Sequence, residues 1–447
     1  MRPRSITGPL ILVLIGVVFL LNNLGHNLPV WSLAWDYWPI LLVVLGVIGL
    51  VEVLYHVGRG GAPMRGFGGG GIFWIVVLIG FFSWAGHRGN VHIGPFTNGG
   101  VNILGSDYEY DVNATGASQG VSRLVLDNVH GNISLKGEEG NGDVKVSGRK
   151  TIRAFSRTDA DRANQQSNIR VDRQGDLLIV HAEDPSGSRM LSVTTDLDIT
   201  VPKTLDIEAR GRTGDFTADS VGGSVDVVSG RGDIRLTGIG KDVKIEASRT
   251  GLVRASGVKG NLDVTSHSGN DVQIDNITGQ VTINGEYSGN LEFGQISKSF
   301  HFQSRQSDFR VEKLPGTITM DLSDLKINNA LGPVRFKTGS RDVHVTDTTD
   351  SLELDLNRGD IEIIQTKTPL PKMDVHTRNG DIALAIPAAA AYEIEGKTRN
   401  GDTNNEFGDP FHTDRDGRGG TIKGKSGISG PQISLETERG TVTVRKN

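Results

Sequence analysis

The sequence contains no cysteine among its 447 residues, which excludes disulfide bonds and thiolate metal sites. Aromatic residues are scarce, at 6% of the chain. The Gly-Gly-x-Gly-x-Asp nonapeptide of calcium-binding β-rolls is also missing. Glycine, in contrast, occurs 60 times, about twice its usual share. Because these glycines show no three-residue collagen period, they indicate many tight turns.

The chain also lacks an excess of basic residues after its first segment. Its net charge is −5, and residues 1–90 carry five arginines against Asp36 and Glu52, a net of +3, so the remainder carries −8. Phosphate contacts require clustered lysine and arginine side chains. A mildly acidic domain of this kind is therefore not expected to bind nucleic acid.

Three apolar runs lie near the N-terminus: Pro9–Leu24, Trp38–Tyr55 and Ile72–Trp84. The first two are long enough to cross a bilayer with their flanks, whereas the third reaches that length only with neighbouring glycines. Arg2 and Arg4 could instead begin a signal peptide, but no small-residue cleavage site follows them. The sequence therefore predicts a membrane domain over residues 1–90 with two or three transmembrane helices.

Arginine placement predicts the orientation of these helices. Arg2 and Arg4 precede the first run, and Arg59 and Arg65 follow the second, which places both segments in the cytoplasm by the positive-inside rule. Three spans then put the rest of the chain outside the bacterial cytoplasmic membrane. If the third run is re-entrant, the rest stays inside.

A short phrase recurs from about residue 210 to residue 402: a polar residue, Gly, Asp and then an apolar residue. Weaker copies, such as Ser307-Asp308-Phe309 and Ser323-Asp324-Leu325, fill the gap between residues 233 and 358. Successive copies lie about 16 to 21 residues apart, and a fixed period of this size indicates a solenoid. Glycine supplies the positive φ of a turn, and aspartate is expected to bond the backbone of that turn. The predicted structural corners are Gly214, Asp215, Gly232, Asp233, Gly359, Asp360, Gly380, Asp381, Gly401 and Asp402.

Between the corners, apolar residues alternate with polar ones, as in Asp233-Ile234-Arg235-Leu236. This alternation predicts strands with one buried and one wet face. The chain is therefore predicted to be mainly β, a parallel β-solenoid with two strands and about 18–20 residues per rung, behind N-terminal transmembrane helices.

The predicted soluble part has three regions. Residues 91–123 form a linker with the first strands, and residues 124–205 form a first β region with one short helix, Asp159–Asn168. Residues 206–447 hold the solenoid repeats. Asn404–Gly430 is predicted to be a long polar loop, and the final strands, Gln432–Glu436 and Thr441–Arg445, are predicted to cap the far end.

The corner aspartates admit a second interpretation. Stacked carboxylates could bind Ca²⁺ or a cationic polymer, but nearby arginines are expected to neutralise them, which favours a structural role. No catalytic, cofactor or metal residues are predicted, although parallel β-helices include polysaccharide-active enzymes. The arginines expected to neutralise the aspartates are Arg212, Arg231, Arg341, Arg358, Arg378, Arg399 and Arg439.

The Gly-Asp-Ile/Val corners that follow the strand Leu197–Pro202 resemble a bacterial β-solenoid family known as the "putative adhesin" domain, a domain of unknown function. The resemblance covers roughly residues 120–447. The runs with Pro9-Leu10-Ile11-Leu12 and Trp38-Pro39-Ile40-Leu41-Leu42 are similar to the membrane domain of LiaF-type envelope-stress proteins. Neither family supplies catalytic residues.

Two functions follow as hypotheses. The first is a non-enzymatic membrane-anchored surface or envelope protein whose solenoid adheres or binds. The second is a regulatory partner of a membrane sensor kinase in envelope stress. The expected partners are the lipid bilayer and either an envelope polymer or a membrane protein, without a cofactor or nucleic acid.

Overall fold

The computed structural model describes residues 105–140, 142–182 and 192–447, which lie in one compact unit, Ile103–Asn447. The three predicted membrane segments fall outside the described residues. Among the described residues, no helix has both the length and the apolar character needed to cross a membrane. This part of the chain is mainly β, as predicted, with 28 strands and one helix, α1 (Arg157–Gln166).

The strands are short and separated by tight turns. In chain order they are β1 (Ser106–Gly116), β2 (Arg123–His130), β3 (Ile133–Glu138), β4 (Val144–Ala154), β5 (Ile169–Gln174), β6 (Leu177–Ala182), β7 (Ser192–Pro202), β8 (Asp206–Thr213), β9 (Phe216–Asp219), β10 (Val225–Thr237), β11 (Val243–Val258), β12 (Leu262–Ile277), β13 (Val281–Tyr287), β14 (Leu291–Ile296), β15 (Phe300–Gln303), β16 (Ser307–Met320), β17 (Asp324–Thr338), β18 (Asp342–Thr348), β19 (Ser351–Leu356), β20 (Ile361–Ile364), β21 (Lys372–Asn379), β22 (Ile382–Ile386), β23 (Tyr392–Asn400), β24 (Thr403–Glu406), β25 (His412–Asp416), β26 (Gly419–Ser426), β27 (Gln432–Arg439) and β28 (Val442–Lys446).

Strand β10 shows how one rung is built. Its first half, Val225–Ser229, pairs in parallel with β8 and β11, and its second half pairs in parallel with β9 and β11. The first halves of successive rungs pair with one another and form one sheet surface, which we call face A. The second halves pair in the same way and form the other surface, face B. Corner 1 is the bend from face A to face B within a rung, and corner 2 returns the chain to face A of the next rung.

The two faces enclose one hydrophobic core. In β12, Leu262 and Val264 are buried while Asp263 and Thr265 are exposed, and this alternation recurs along the stack. Inward side chains from both faces form a single continuous cluster. Because each fully buried Leu or Val contributes about 1.5–3 kcal/mol, stacking stabilises rungs that could not bury an apolar face alone.

The direction of winding reverses at β16 and is restored at β17, which a uniform parallel coil would not do. Strand β16 runs antiparallel to β14, β15 and β17. Two weaker copies of the corner phrase, Ser307-Asp308-Phe309 and Ser323-Asp324-Leu325, follow hairpin turns rather than corners. In the second hairpin, Asp321 Oδ1 accepts hydrogen bonds from the backbone N–H groups of Ser323 and Asp324, each at 2.7 Å, and so closes the turn.

Phenylalanine side chains fill the core at this reversal. Ring centroids lie 4.6 Å apart for Phe293 and Phe300, 5.7 Å for Phe300 and Phe309, and 5.4 Å for Phe309 and Phe336. Tilted and edge-on aromatic pairs are favourable beyond their burial. The cluster therefore packs the place where the parallel register is lost.

The helix and its neighbours cover the N-terminal end of the stack. Helix α1 begins two residues before the predicted segment, because Ser156 caps it by accepting the N–H of Asp159. Ala160 and Ala163 pack on Ile152 and Val193. The sequence prediction of one short helix in this region is confirmed.

Both ends of the stack contain a rung that is out of chain order. Strands β2 and β3 lie between β6–β7 and β8–β9. Strands β27 and β28 lie between β21–β22 and β23–β24. The prediction that the last strands cap the far end is therefore wrong, because they are enclosed on both sides.

The prediction of a long loop over Asn404–Gly430 is also wrong in part. It contains β25 and β26, which form an antiparallel hairpin, and β26 pairs with β23. This hairpin closes the C-terminal edge of face A. The edge strand β25 is exposed at every residue and carries Asp414, Arg415 and Asp416, charges that discourage pairing with another sheet.

The enclosed last rung gives a stability prediction. Leu435 in β27 is buried, with 1% of its surface exposed. We expect Leu435→Ala to lower the free energy of unfolding by about 2–5 kcal/mol, since it leaves a cavity between two rungs. Hydrogen exchange should quicken in both β21 and β23, whereas the exposed neighbour change Ser434→Ala should have little effect. Faster exchange confined to β27 and β28 would contradict the inserted position.

Candidate functional site: the corner ladder and the surface beside it

Corner 1 is built by backbone contact between rungs. Gly232 has φ of +142°, and a Cβ placed on it would lie 2.0 Å from the carbonyl oxygen of Gly214 in the preceding rung. The positive φ and the close approach both require glycine at this position. Gly380 stacks in the same way on Gly359.

The corner aspartates of the first rungs bond the next rung rather than their own turn. Asp215 Oδ1 accepts the backbone N–H of Asp233 at 2.9 Å, and Asp233 Oδ1 accepts that of Leu252 at 2.9 Å. The bonded residues lie 18 and 19 positions apart in sequence. The expectation that aspartate bonds its own turn is corrected, and we call this series of inter-rung bonds the corner ladder.

The corner ladder has three segments. The first ends at Leu252, and the second is a single bond in which Asp271 accepts the N–H of Asn290 at 2.8 Å. In the third segment, beyond the reversal, Asp342 accepts the N–H of Asp360 at 2.9 Å, Asp360 that of Asp381 at 2.8 Å, and Asp381 that of Thr441 at 2.7 Å. Thr441 lacks a carboxylate, so the series stops there. The predicted corner Gly401-Asp402 stacks beyond it, and its aspartate contacts Arg415 at 3.2 Å.

Sequence reasoning missed two members at the start of the ladder. Asn132 Oδ1 accepts the N–H of Asp215 at 2.8 Å, and Asp196 Oδ1 accepts that of Asn132 at 2.8 Å. Gly131-Asn132-Ile133 is the corner phrase with asparagine in place of aspartate, which was the available signal. An amide oxygen and a carboxylate oxygen therefore serve the same purpose here.

Corner 2 carries similar bonds that the sequence analysis also missed. Asp206 accepts the N–H of Ser224 at 2.8 Å, and Asp242 accepts that of Asn261 at 2.7 Å. Asp347 accepts the N–H of Thr366 at 2.7 Å. The acidic residues of both corners are thus used for inter-rung bonding.

The arginines named as neutralising partners do not serve that purpose. Asp233 and Asp215 contact Arg235 instead, at 2.6 and 3.7 Å. Arg341 points inward, where its Nη1 lies 2.9 Å from Ser307 Oγ and 3.0 Å from Met320 Sδ. Burial lowers the pKa of Arg341. The prediction of neutralisation by the preceding arginines is therefore wrong.

The outer faces carry complementary charges on neighbouring rungs. Arg335 lies 2.7 Å from Glu353, and Lys337 lies 2.8 Å from Asp355. Near the C-terminal end, Lys423 and Glu395 are 2.9 Å apart. Exposed pairs of this kind contribute about 0–1 kcal/mol each, so they refine the register rather than hold the stack together.

The described residues offer little enclosed space. Two concavities have volumes of about 100 and 20 Å³, and the larger is lined by Glu292, Asp321, Asp324 and Lys326 among others. Small-molecule sites usually need about 300–1,000 Å³. Within residues 105–140, 142–182 and 192–447, no group of three His, Asp or Glu side chains is placed to hold a metal ion.

A stack of rungs joined by corner ladders defines a repeat protein with open faces. The chain belongs to the Toastrack DUF4097 family, whose model matches residues 121–445. Residues 6–50 match the LiaI-LiaF-like transmembrane region. Both resemblances drawn from the sequence are confirmed.

Two solved structures are similar to this chain. One is described as a "putative cell adhesion protein" from Clostridium sporogenes, with 11% identity and a TM-score of 0.20, covering 76% of this chain and 100% of its own. The other, a "putative adhesin" from Bacteroides fragilis, has 10% identity and a TM-score of 0.22, covering 76% and 97%. Neither TM-score establishes a shared fold. Among curated protein sequences, none matches this chain.

The ladder bonds can be tested at Asp360. We expect Asp360→Ala to lower the free energy of unfolding by about 1–2 kcal/mol, because the N–H of Asp381 loses its acceptor. Asp360→Asn should lose less than half as much, because Asn132 and Asn261 already fill this role with an amide oxygen. Thermal or chemical unfolding of the full-length variants measures the difference, and equal losses would argue against the ladder.

Acid stability tests corner 2. Partial burial opposes ionisation of Asp206, but bonds from Ser224 and Lys241 outweigh it and hold its pKa below the ordinary 3.8. At Asp347, too, partial burial raises the pKa, but the bonds from Thr366 outweigh it and the pKa is lowered. A lowered pKa contributes stability above the unfolded value, which is lost as pH falls through the folded value.

We therefore expect the free energy of unfolding to fall as the pH drops below about 4, and to fall less steeply in the double variant Asp206→Asn, Asp347→Asn. Unfolding in urea over a series of acidic buffers measures both slopes. Identical slopes would show that these two carboxylates carry no pH-linked stability.

Proposed function

We propose that this chain is a non-enzymatic, membrane-anchored envelope protein that presents its solenoid as a binding surface. The carrying observation is that one chain combines a match to a transmembrane region at residues 6–50 with a Toastrack domain at residues 121–445. An anchor joined to an extended stack suits a protein that holds a surface near the membrane.

The geometry of the described part supports binding rather than chemistry. Ladder carboxylates accept backbone N–H groups, and the described concavities are small and shallow. A ligand would contact side chains on several rungs at once, along a face or a corner. Adhesion to an envelope or surface polymer is a function that such a repeated surface can perform.

The distribution of arginine supports an extracytoplasmic solenoid. Arg2, Arg4, Arg59 and Arg65 flank the predicted first and second spans on one side, which the positive-inside rule assigns to the cytoplasm. With a third span over Ile72–Trp84, the solenoid emerges on the opposite side.

A second candidate function is a regulatory partner of a membrane sensor kinase. It is favoured by the LiaI-LiaF-like match at residues 6–50, because the sequence of this segment resembles the membrane domain of LiaF-type envelope-stress proteins. In this function the membrane helices contact the kinase, and the solenoid lies on either side of the membrane.

A reporter enzyme fused after Asn447 tests whether the solenoid is outside the cytoplasm, as surface adhesion requires. We expect a reporter that works only outside the cytoplasm to be active in intact cells, and one that works only inside to be silent. The fusion joins at the end of β28, so a flexible linker should precede the reporter. Activity of the inside reporter alone would exclude surface adhesion and favour the regulatory function.

A further inference from the structure

Three arginines line corner 1 in the N-terminal half of the stack. Arg212, Arg231 and Arg249 belong to β8, β10 and β11, which are consecutive rungs. Arg231 and Arg249 are direct partners in the parallel register, and the Arg212 backbone lies against Gly230. All three are exposed. We call them the arginine strip, in which neighbouring rungs are about 4.8 Å apart.

The arginine strip carries positive charge that the nearby acids do not balance. Among the described residues, none of the three arginines forms an ion pair with a carboxylate. The ladder aspartates beside the strip, Asp215 and Asp233, contact Arg235. The third rung has Leu252 where the others have aspartate, so it has no carboxylate at that corner position.

Several basic residues on this surface face an acidic residue on the next rung, as Arg335 faces Glu353 at 2.7 Å. Arg231 and Arg249 instead face each other. Arg235 and Arg254 also face each other, but Arg235 contacts two carboxylates, whereas neither Arg231 nor Arg249 contacts one in the described part of the chain. Like charges placed directly opposite each other on neighbouring strands are destabilising. The Arg231–Arg249 pairing therefore has a cost that a bound anion would relieve.

We propose that the arginine strip binds a linear phosphate-bearing polymer that runs along the corner from rung to rung. This rests on the proposed function of the solenoid as a binding surface and names its ligand class. Guanidinium groups stay charged at all physiological pH values and bind phosphate oxygens with two parallel hydrogen bonds. Arginines repeated along an open corner suit repeated phosphates, because several weak contacts on one chain reinforce each other.

The arginine strip exists only in the folded chain. The three arginines are separated by about one rung each along the chain, and only the parallel register brings them together. Single-stranded nucleic acids also need exposed aromatic rings for base stacking. The exposed large apolar residue near the strip is Val228, so a phosphate polymer without bases is the better fit.

The test compares three full-length proteins in detergent micelles: the wild type, a strip variant and a control variant. The strip variant carries Arg212→Gln, Arg231→Gln and Arg249→Gln. The control carries Lys259→Gln, Lys298→Gln and Lys372→Gln, which removes the same charge from exposed lysines at corner 2. The probe is linear inorganic polyphosphate, and its Kd is measured over a series of salt concentrations.

We expect the strip variant to bind polyphosphate at least tenfold more weakly than the wild type, with a shallower dependence of log K on log salt. The control should stay within about twofold of the wild type at the same salt. The strip variant should unfold at the same temperature as the wild type or higher, because it loses like-charge repulsion. Polyphosphate should raise the Tm of the wild type and the control only.

Four results would overturn the inference. Equally weak polyphosphate binding by the strip variant and the control would indicate general charge attraction. If the wild type does not bind polyphosphate, a phosphate-bearing polymer is excluded as the ligand. Binding to phosphatidylglycerol vesicles without binding to polyphosphate would make the ligand a lipid surface. If all three proteins bind equally well, the site lies elsewhere on the solenoid, and the proposed binding function stands. The reporter fusion tests that function independently.

Discussion

The contact between the backbones of successive rungs at corner 1 constrains everything else in this solenoid. At Gly232 and Gly380 a Cβ would lie 2.0 Å from the carbonyl oxygen of the rung before, so only glycine permits the approach. The same approach brings the aspartate of one rung within 2.8–2.9 Å of the N–H of the next, as at Asp215 and Asp360. Each bond contributes about 1 kcal/mol net, but it also fixes the register, because a slip of one residue would turn the buried side chains outward.

This constraint explains how much of the fold is readable from sequence. Gly-Asp phrases identify corners, and alternation in segments such as Leu262–Thr265 identifies which side chains face the core. What the phrase does not encode is which corner lies above which. Gly440 stacks between Gly380 and Gly401, although its segment is the last in the chain. Any corner with glycine and an unbonded backbone N–H can stack on any other such corner. The stacking order therefore depends on the whole chain.

The candidate site was less predictable than the fold. Aspartate was predicted to bond the backbone of its own turn, because that is its usual role in short turn segments. Its partner N–H instead lies 18 to 21 residues away, as at Asp215 and Asp360. Asn132 was overlooked because its amide replaces the expected carboxylate. The reversal at β16 was also unreadable, since Asp321 closes a hairpin with the same residue type that elsewhere closes a corner. Aspartate bonds whatever N–H the backbone presents, and the backbone path is decided by packing.

At corner 1, the fold requires particular residues at some positions and leaves the residue type free at others. Glycine and the following aspartate or asparagine are fixed by contact and hydrogen bonding, as at Gly214-Asp215. The residue just before the glycine is not, since Thr213, Asn379 and Asn400 occupy that position in other rungs. Arginine at position 231 therefore contributes nothing that the stack needs, and its alignment with Arg249 costs repulsion. An exposed charge that the stack does not need, and that no carboxylate of the described residues contacts, is explained by a partner outside the chain.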